Sequence, residues 1–168
     1  MIKIMNKEKY KKFFFYFISI LFLFFIDRIS KLYILNIAET SEVDIYVSSF
    51  LNLYLVWNTG IGFGLFSSDQ NLIYNSITIF IIIINIIIVV MLFKNQNYKS
   101  YFLILVLGGS TGNLFDRLYY SAVPDFLDFH INNFHWFIFN LADIYISIGV
   151  ICLIIDEVIF KKKSHDEN

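Results

Sequence analysis

The sequence predicts an all-α membrane protein: four transmembrane helices with a small extracytoplasmic β-element between helices one and two. Three observations carry this expectation. Of the 168 residues 58% are hydrophobic and 20% aromatic, more apolar material than a soluble core of that size absorbs. The apolar residues gather in four runs, at 13–32, 72–93, 101–120 and 137–160; a helix needs about 20 residues to cross the hydrocarbon. Between the first two runs the pattern changes to short apolar–polar alternation, which is strand periodicity.

The elements follow in order. Lys3, Lys7, Lys9, Lys11 and Lys12 precede the first run. A signal peptide also starts this way, but the run is long and no small-x-small site follows, so an uncleaved helix is expected. Residues 36–70 form an outer segment in which 43–47 and 51–57 alternate, until glycines at 60, 62 and 64 impose a tight turn or a close backbone approach. The second run leads to a loop bearing Lys94 and Lys99. The third closes at a turn around Pro124, and a second outer segment, 121–136, holds Asp125, Asp128, His130 and His135. The fourth run ends at Lys161, Lys162 and Lys163, and the chain 1–168 reads as one integral membrane domain.

Ten of the thirteen basic residues lie at the two ends and in the loop between runs two and three. The positive-inside rule then makes both termini cytoplasmic and turns both outer segments outward. Net charge is −1 and no basic groove is apparent, so nucleic acid is not an expected partner; the lipid bilayer is. The single cysteine, Cys152, permits no internal disulfide and no cysteine-based metal cluster, and reads as a small buried apolar residue.

Several polar residues interrupt the apolar runs. Even lenient insertion scales charge about 2.5–3.5 kcal/mol for an Asp at mid-helix, so an acid kept there points to function. Counting helix rise from the membrane edges puts Asp27, Asp116 and Asp143 in one layer, at about 21–22 Å from the inner edge. Asn113, Arg117 and Asn140 fall within a few ångströms of it. Asn85 falls near ~10 Å by the same count, out of reach, and reads as a helix-packing hydrogen-bonder. Asp156 and Glu157 fall at the inner boundary, beside the terminal lysines. Gly108 and Gly112 have the small-xxx-small spacing that lets helix backbones approach. Asn113, Asp116 and Arg117 put an amide, an acid and a guanidinium within about one turn. A structural inter-helix clamp accounts for each singly. With Arg28, Lys31 and Arg117 at its level, Asp116 reads as a paired, ionised acid rather than a titrating one.

Five pieces stand in an order that resembles the bacterial lipoprotein signal peptidase (signal peptidase II) family of four-span intramembrane aspartic proteases. They are Asp27 with Lys31; Asn58-Thr59-Gly60 followed by Phe63; Gly108-Gly109 through Asn113 to Asp116-Arg117; Val123 with Asp125-Phe126-Leu127; and Phe139-Asn140 with Ala142-Asp143. The resemblance implies a catalytic pair at Asp125 and Asp143. It implies support or substrate contacts from Asp27, Lys31, Asn58, Gly60, Asn113, Asp116, Arg117, Asn140 and Ala142. Where the family often has valine, proline, serine and alanine, this chain has Pro124, Phe137 or Ile138, Ile144 and Gly62. Ala142 is small enough to leave room for a peptide beside Asp143. The implied substrate is a diacylglyceryl-modified prolipoprotein, cut on the amino side of its lipidated cysteine at the outer face of the bacterial inner membrane.

Such chemistry needs one carboxylate to deprotonate water and one carboxyl to polarise the scissile carbonyl, two adjacent acids sharing one proton. No cofactor and no metal are implied. A metal site would draw on His130 and His135 with Asp125 or Asp128. A serine intramembrane protease would need a membrane-embedded histidine beside Ser110, and none is present. A transporter, or another non-enzymatic membrane protein, is the alternative from a different class, because intramembrane acids with cations also mark ion paths; four spans without broken-helix pairs or an inverted repeat disfavour it.

Overall fold

The computed structural model describes residues 7–60, 71–94, 97–132 and 134–166, side chains at 71 and 160–166 excepted. Its elements are α1 (Lys7–Ala38), β1 (Asp44–Ser48), β2 (Leu51–Asn58), α2 (Asn71–Lys94), α3 (Lys99–Tyr120), β3 (Val123–Ile131), β4 (Phe134–Phe139) and α4 (Leu141–Asp166). Gly62, Phe63 and Gly64 lie outside the described residues.

Among the described residues two helices are long and apolar enough to cross a membrane: α1, and α2 from Leu72, with mean hydropathy 1.9 and 3.1. Only 17% and 22% of their most apolar windows are buried inside the protein, so most of that surface faces outward. Outward apolar surface on this scale needs an apolar medium. In α3 the buried residues are aliphatic at Leu103, Ile104, Val106 and Leu107 and then small or polar at Gly108, Gly109, Ser110, Gly112, Asp116 and Arg117. This helix packs against all three others.

The glycines explain how α3 reaches its neighbours. A Cβ on Gly108 would come within 2.7 Å of the Leu23 side chain in α1, and one on Gly112 within 2.5 Å of Asp27 Oδ2. The intervening Gly109 faces α4, where a Cβ would run into the Ala142 carbonyl oxygen. One glycine-rich turn thus admits α1 on one side and α4 on the other. Tyr16, Ile88, Leu92, Leu103, Ile104, Val106 and Leu107 fill the core between α1, α2 and α3.

The sheet corrects the sequence reading. It has four antiparallel strands in the order β1-β2-β3-β4, so half of it comes from the segment after α3 rather than from between helices one and two. The outer segment 121–136, for which no strand was expected, is mostly strand, and the fourth apolar run opens as strand at 137–139 before α4 begins at Leu141. The aromatic and β-branched residues there suit a pleated surface, and pairing with β3 outweighs helical continuity. Pro124 lies opposite Trp57 of β2, and β4 pairs only from Leu127 onward, so at that end β3 has a strand on one side only. Ile34, Val43 and Phe126 pack the sheet onto the last turns of α1.

Candidate active site

Asp125 and Asp143 reach the site by different routes. Asp125 sits near the start of β3, opposite Val56 of β2, and is only 2% exposed. Its Oδ2 accepts from Asn58 Nδ2 at 2.8 Å and its Oδ1 from Asn140 Nδ2 at 2.6 Å. Asn58 Oδ1 in turn accepts the Gly60 N–H at 2.8 Å, an Asx-type turn that holds its amide toward Asp125. Asp143 lies in the first turn of α4, buried, with Oδ1 accepting from Asn113 Nδ2 at 2.8 Å.

Asn140 joins the two acids. Its Oδ1 accepts the Asp143 N–H at 3.1 Å while Asp143 Oδ2 accepts the Asn140 N–H at 3.2 Å, a reciprocal cap on the start of α4. The same carboxamide spends its Nδ2 on Asp125. Burial, then the charge of nearby Asp143, pushes the Asp125 carboxyl up to about 7, against hydrogen bonds from Asn58 and Asn140 that favour its ionised form.

Behind the pair lies an ion network that includes four of the expected supporting residues. Lys31, fully buried, donates to Asp27 Oδ2 at 2.8 Å, Asn113 Oδ1 at 2.8 Å and Asp116 Oδ2 at 2.7 Å. Arg28 closes the other side of Asp116, bonds Tyr120 and stacks over Phe115 at 4.8 Å. Asp27 Oδ1 accepts the Ala142 N–H at 3.1 Å, so an α1 acid satisfies an orphan donor at the start of α4. Asn113 therefore links Lys31 to Asp143.

Some expectations change. Arg117 does not pair with Asp116. Its guanidinium lies 5.4 Å from the Tyr74 ring, its carbonyl accepts the Tyr74 hydroxyl at 2.7 Å, and it is in electrostatic reach of Asp125 and Asp143. Ala142, expected to leave room for a peptide, is fully buried, and its carbonyl oxygen lies against Gly109 of α3. Asn85 has no hydrogen-bond partner among the described residues, so it is not the packing hydrogen-bonder expected. Asp156 and Glu157 pair with Lys99, at 2.5 and 3.8 Å. Depth counting set Arg28 at the level of Asp116, where the two pair, but missed Tyr74 as a member of the site. Tyr74 had no usable signal beyond its place near the start of α2.

A family model described as signal peptidase (SPase) II matches residues 19–159. The chain belongs to the signal peptidase II family. The lipoprotein signal peptidase of Pelagibacter ubique (strain HTCC1062) is 54% identical over 164 residues, covering 97% of this chain and 99% of that one. That of Anaplasma phagocytophilum (strain HZ) is 40% identical, covering 79% and 85%. A solved bacterial membrane enzyme superposes with TM-score 0.66 at 31% identity, covering 89% of this chain and 90% of that one. Signal peptidase II enzymes are aspartic proteases of the bacterial inner membrane that remove signal peptides from prolipoproteins, and this chain is one of them. A transporter reading of the buried acids is not favoured.

Proposed function

We propose that Asp125 and Asp143 are the catalytic dyad, and that the substrate is a prolipoprotein whose cysteine carries a diacylglyceryl group, cut on the amino side of that cysteine. The observation that carries this reading is the Asn140 bridge: one residue holds two buried carboxylates from different elements, its side-chain amide on Asp125 and its backbone N–H on Asp143, and burial pushes the Asp125 carboxyl up to about 7. In the reaction one carboxylate takes a proton from water while the other acid donates to the carbonyl oxygen. Hydroxide adds to the carbonyl carbon, the C–N bond breaks, and the leaving nitrogen takes a proton from the pair.

Charge balance supports one shared proton. Four buried acids, Asp27, Asp116, Asp125 and Asp143, stand with three buried cations, Arg28, Lys31 and Arg117. The cluster is neutral when one acid is protonated. Asp27 and Asp116 are matched directly by Lys31 and Arg28, which leaves the proton to the other pair. Asn58, Gly60, Asn113 and Asn140 act by orienting the dyad; Asp27, Lys31, Asp116 and Ala142 fix α1, α3 and α4 against each other; Arg117 is the cation that faces the pair.

In this reading α1, α2, α3 and α4 all cross the inner membrane as one domain, with both termini cytoplasmic and the dyad at the outer rim. The acyl chains of the substrate stay in the bilayer while its scissile bond reaches the dyad. The experiment is cleavage of a diacylglyceryl-modified precursor by the purified protein. Turnover that survives dialysis against chelator supports the dyad; absence of cleavage, or loss of activity restored by added zinc, counts against it.

A further inference from the structure

The outer sheet brings together a second group of chemically capable side chains that the peptidase reaction does not use. Asp128 and His130 are two apart on β3 and so point to the same side, and His135 is the cross-strand partner of His130 on β4. Asp125, three residues before Asp128, points to the other side by the same alternation. One ligand atom from each of Asp128, His130 and His135 lies within 4.8 Å of the other two. The two imidazole rings stack with centroids 5.2 Å apart, and His135 Nδ1 is 2.8 Å from Asp128 Oδ2.

Other atoms at this place lack partners among the described residues. Among the described residues, Asp128 Oδ1 and His130 Nδ1 are buried without a hydrogen bond, and so is Oδ1 of Asn52, which pairs with Asp128 across β2 and β3. Asp128 is only 4% exposed, so water has little access to its free oxygen. A carboxylate oxygen, an amide oxygen and an imidazole nitrogen are all electron-pair donors. Orphaned acceptors gathered at one place match a cation and disfavour an anion. The His135 side chain is 55% exposed, which gives an ion a way in from the side that the outer segments face.

We propose that Asp128, His130 and His135 form a binding site for a divalent transition-metal ion such as Zn2+, with Asn52 or water completing the shell. Two imidazoles and a carboxylate are a donor set that such ions take readily, and their affinities follow ligand type more than fold. The ion ties β3 to β4 just before β4 leads into Asn140 and Asp143. Its contribution is to hairpin stability; it takes no part in peptide hydrolysis.

The test uses the full chain without a histidine tag, stripped with chelator, purified in detergent and titrated with Zn2+. One ion per chain is expected, with a rise in Tm as it binds. His130→Gln and His135→Gln should each weaken binding by about tenfold or more and remove the rise in Tm. His165→Gln, which alters the only other histidine, should leave binding unchanged. If His130→Gln fails to fold, the half-exposed His135→Gln decides alone. Absence of saturable Zn2+ binding at micromolar concentration, or full binding by His135→Gln, overturns the proposal.

Discussion

Asn140 and Asp143 bond to each other twice, each backbone N–H meeting the other's side-chain oxygen at 3.1 and 3.2 Å. This exchange starts α4, and it also fixes the Asn140 amide group that reaches Asp125 at 2.6 Å. A helix cap and the geometry of the proposed dyad are therefore the same set of bonds, so the two cannot be perturbed separately at this residue.

Asp125→Asn and Asp143→Asn should each abolish turnover, since Asn keeps the shape but serves as neither acid nor base, while a substrate-like inhibitor still binds. Asp116→Asn should act mainly on stability. It weakens the anchor of two buried cations, Lys31 and Arg28, and breaking such a pair costs about 3–5 kcal/mol. A folded, inactive Asp116→Asn beside an active Asp125→Asn would transfer the dyad to Asp116 and Asp143.

Removing the amides should move the pH profile. Asn58 and Asn140 both donate to Asp125 and so favour its ionised form. A hydrogen bond to a charged group is worth about 1.5–3 kcal/mol, so Asn58→Ala should raise the Asp125 pKa by about one unit or more. The alkaline limb of kcat/KM, where the pair loses its shared proton, then shifts upward by that amount. Asn140→Ala should do the same and also lose the cap, about 1 kcal/mol of stability. An unshifted limb in both variants would remove these amides from the site.

Stability should carry the mark of Asp125 as well. Its folded pKa, about 7, lies above the ordinary carboxyl value of 3.8, so the folded chain binds more protons between these limits. The stabilising effect of that proton is complete below the unfolded pKa and is lost as pH rises through the folded one. From about pH 4 to pH 8 the stability difference between wild type and Asp125→Asn should move toward the variant by a few kcal/mol. Unfolding in detergent at several pH values measures it, and a flat difference contradicts the assignment.

Adding one methyl at the glycine-rich turn should separate backbone from side-chain crowding. Gly109→Ala meets the Ala142 carbonyl, which cannot swing away, whereas Gly108→Ala meets chiefly the Leu23 side chain. Gly109→Ala should be the worse of the two, within the roughly 1–3 kcal/mol typical of overpacking. Gly112→Ala should displace Asp27 and with it the bond to the Ala142 N–H, so activity should fall further than stability. Tm and turnover of the three variants check the order.

Topology is testable by fusion. A reporter after Lys163 or within 94–99 should report cytoplasm, and one within 39–44 the outside. Opposite reporting at any of these positions would reverse the side on which the proposed dyad opens.

The sequence by itself determined the membrane habit, the four apolar runs and the polar residues placed within them, because run length and charge in an apolar run are local properties of the chain. Asn140 and Asp143 stand three apart, the spacing of a reciprocal cap, but the helix start they cap lies inside the run 137–160 and is set by β4 taking 134–139. The tertiary structure decided which residues meet. Counting depth along single helices grouped Asp116 with Asp27 and Asp143, and Lys31 does join the first two. Asp125 enters only because β3 pairs with β2, bringing Asn58 to it across 67 positions. Strand pairing over such a separation depends on the whole sheet and on its packing against Ile34 and Val43, and no window of sequence contains it. The same holds for Arg117, whose turn toward Tyr74 is a choice among partners that only three packed helices and a sheet present together.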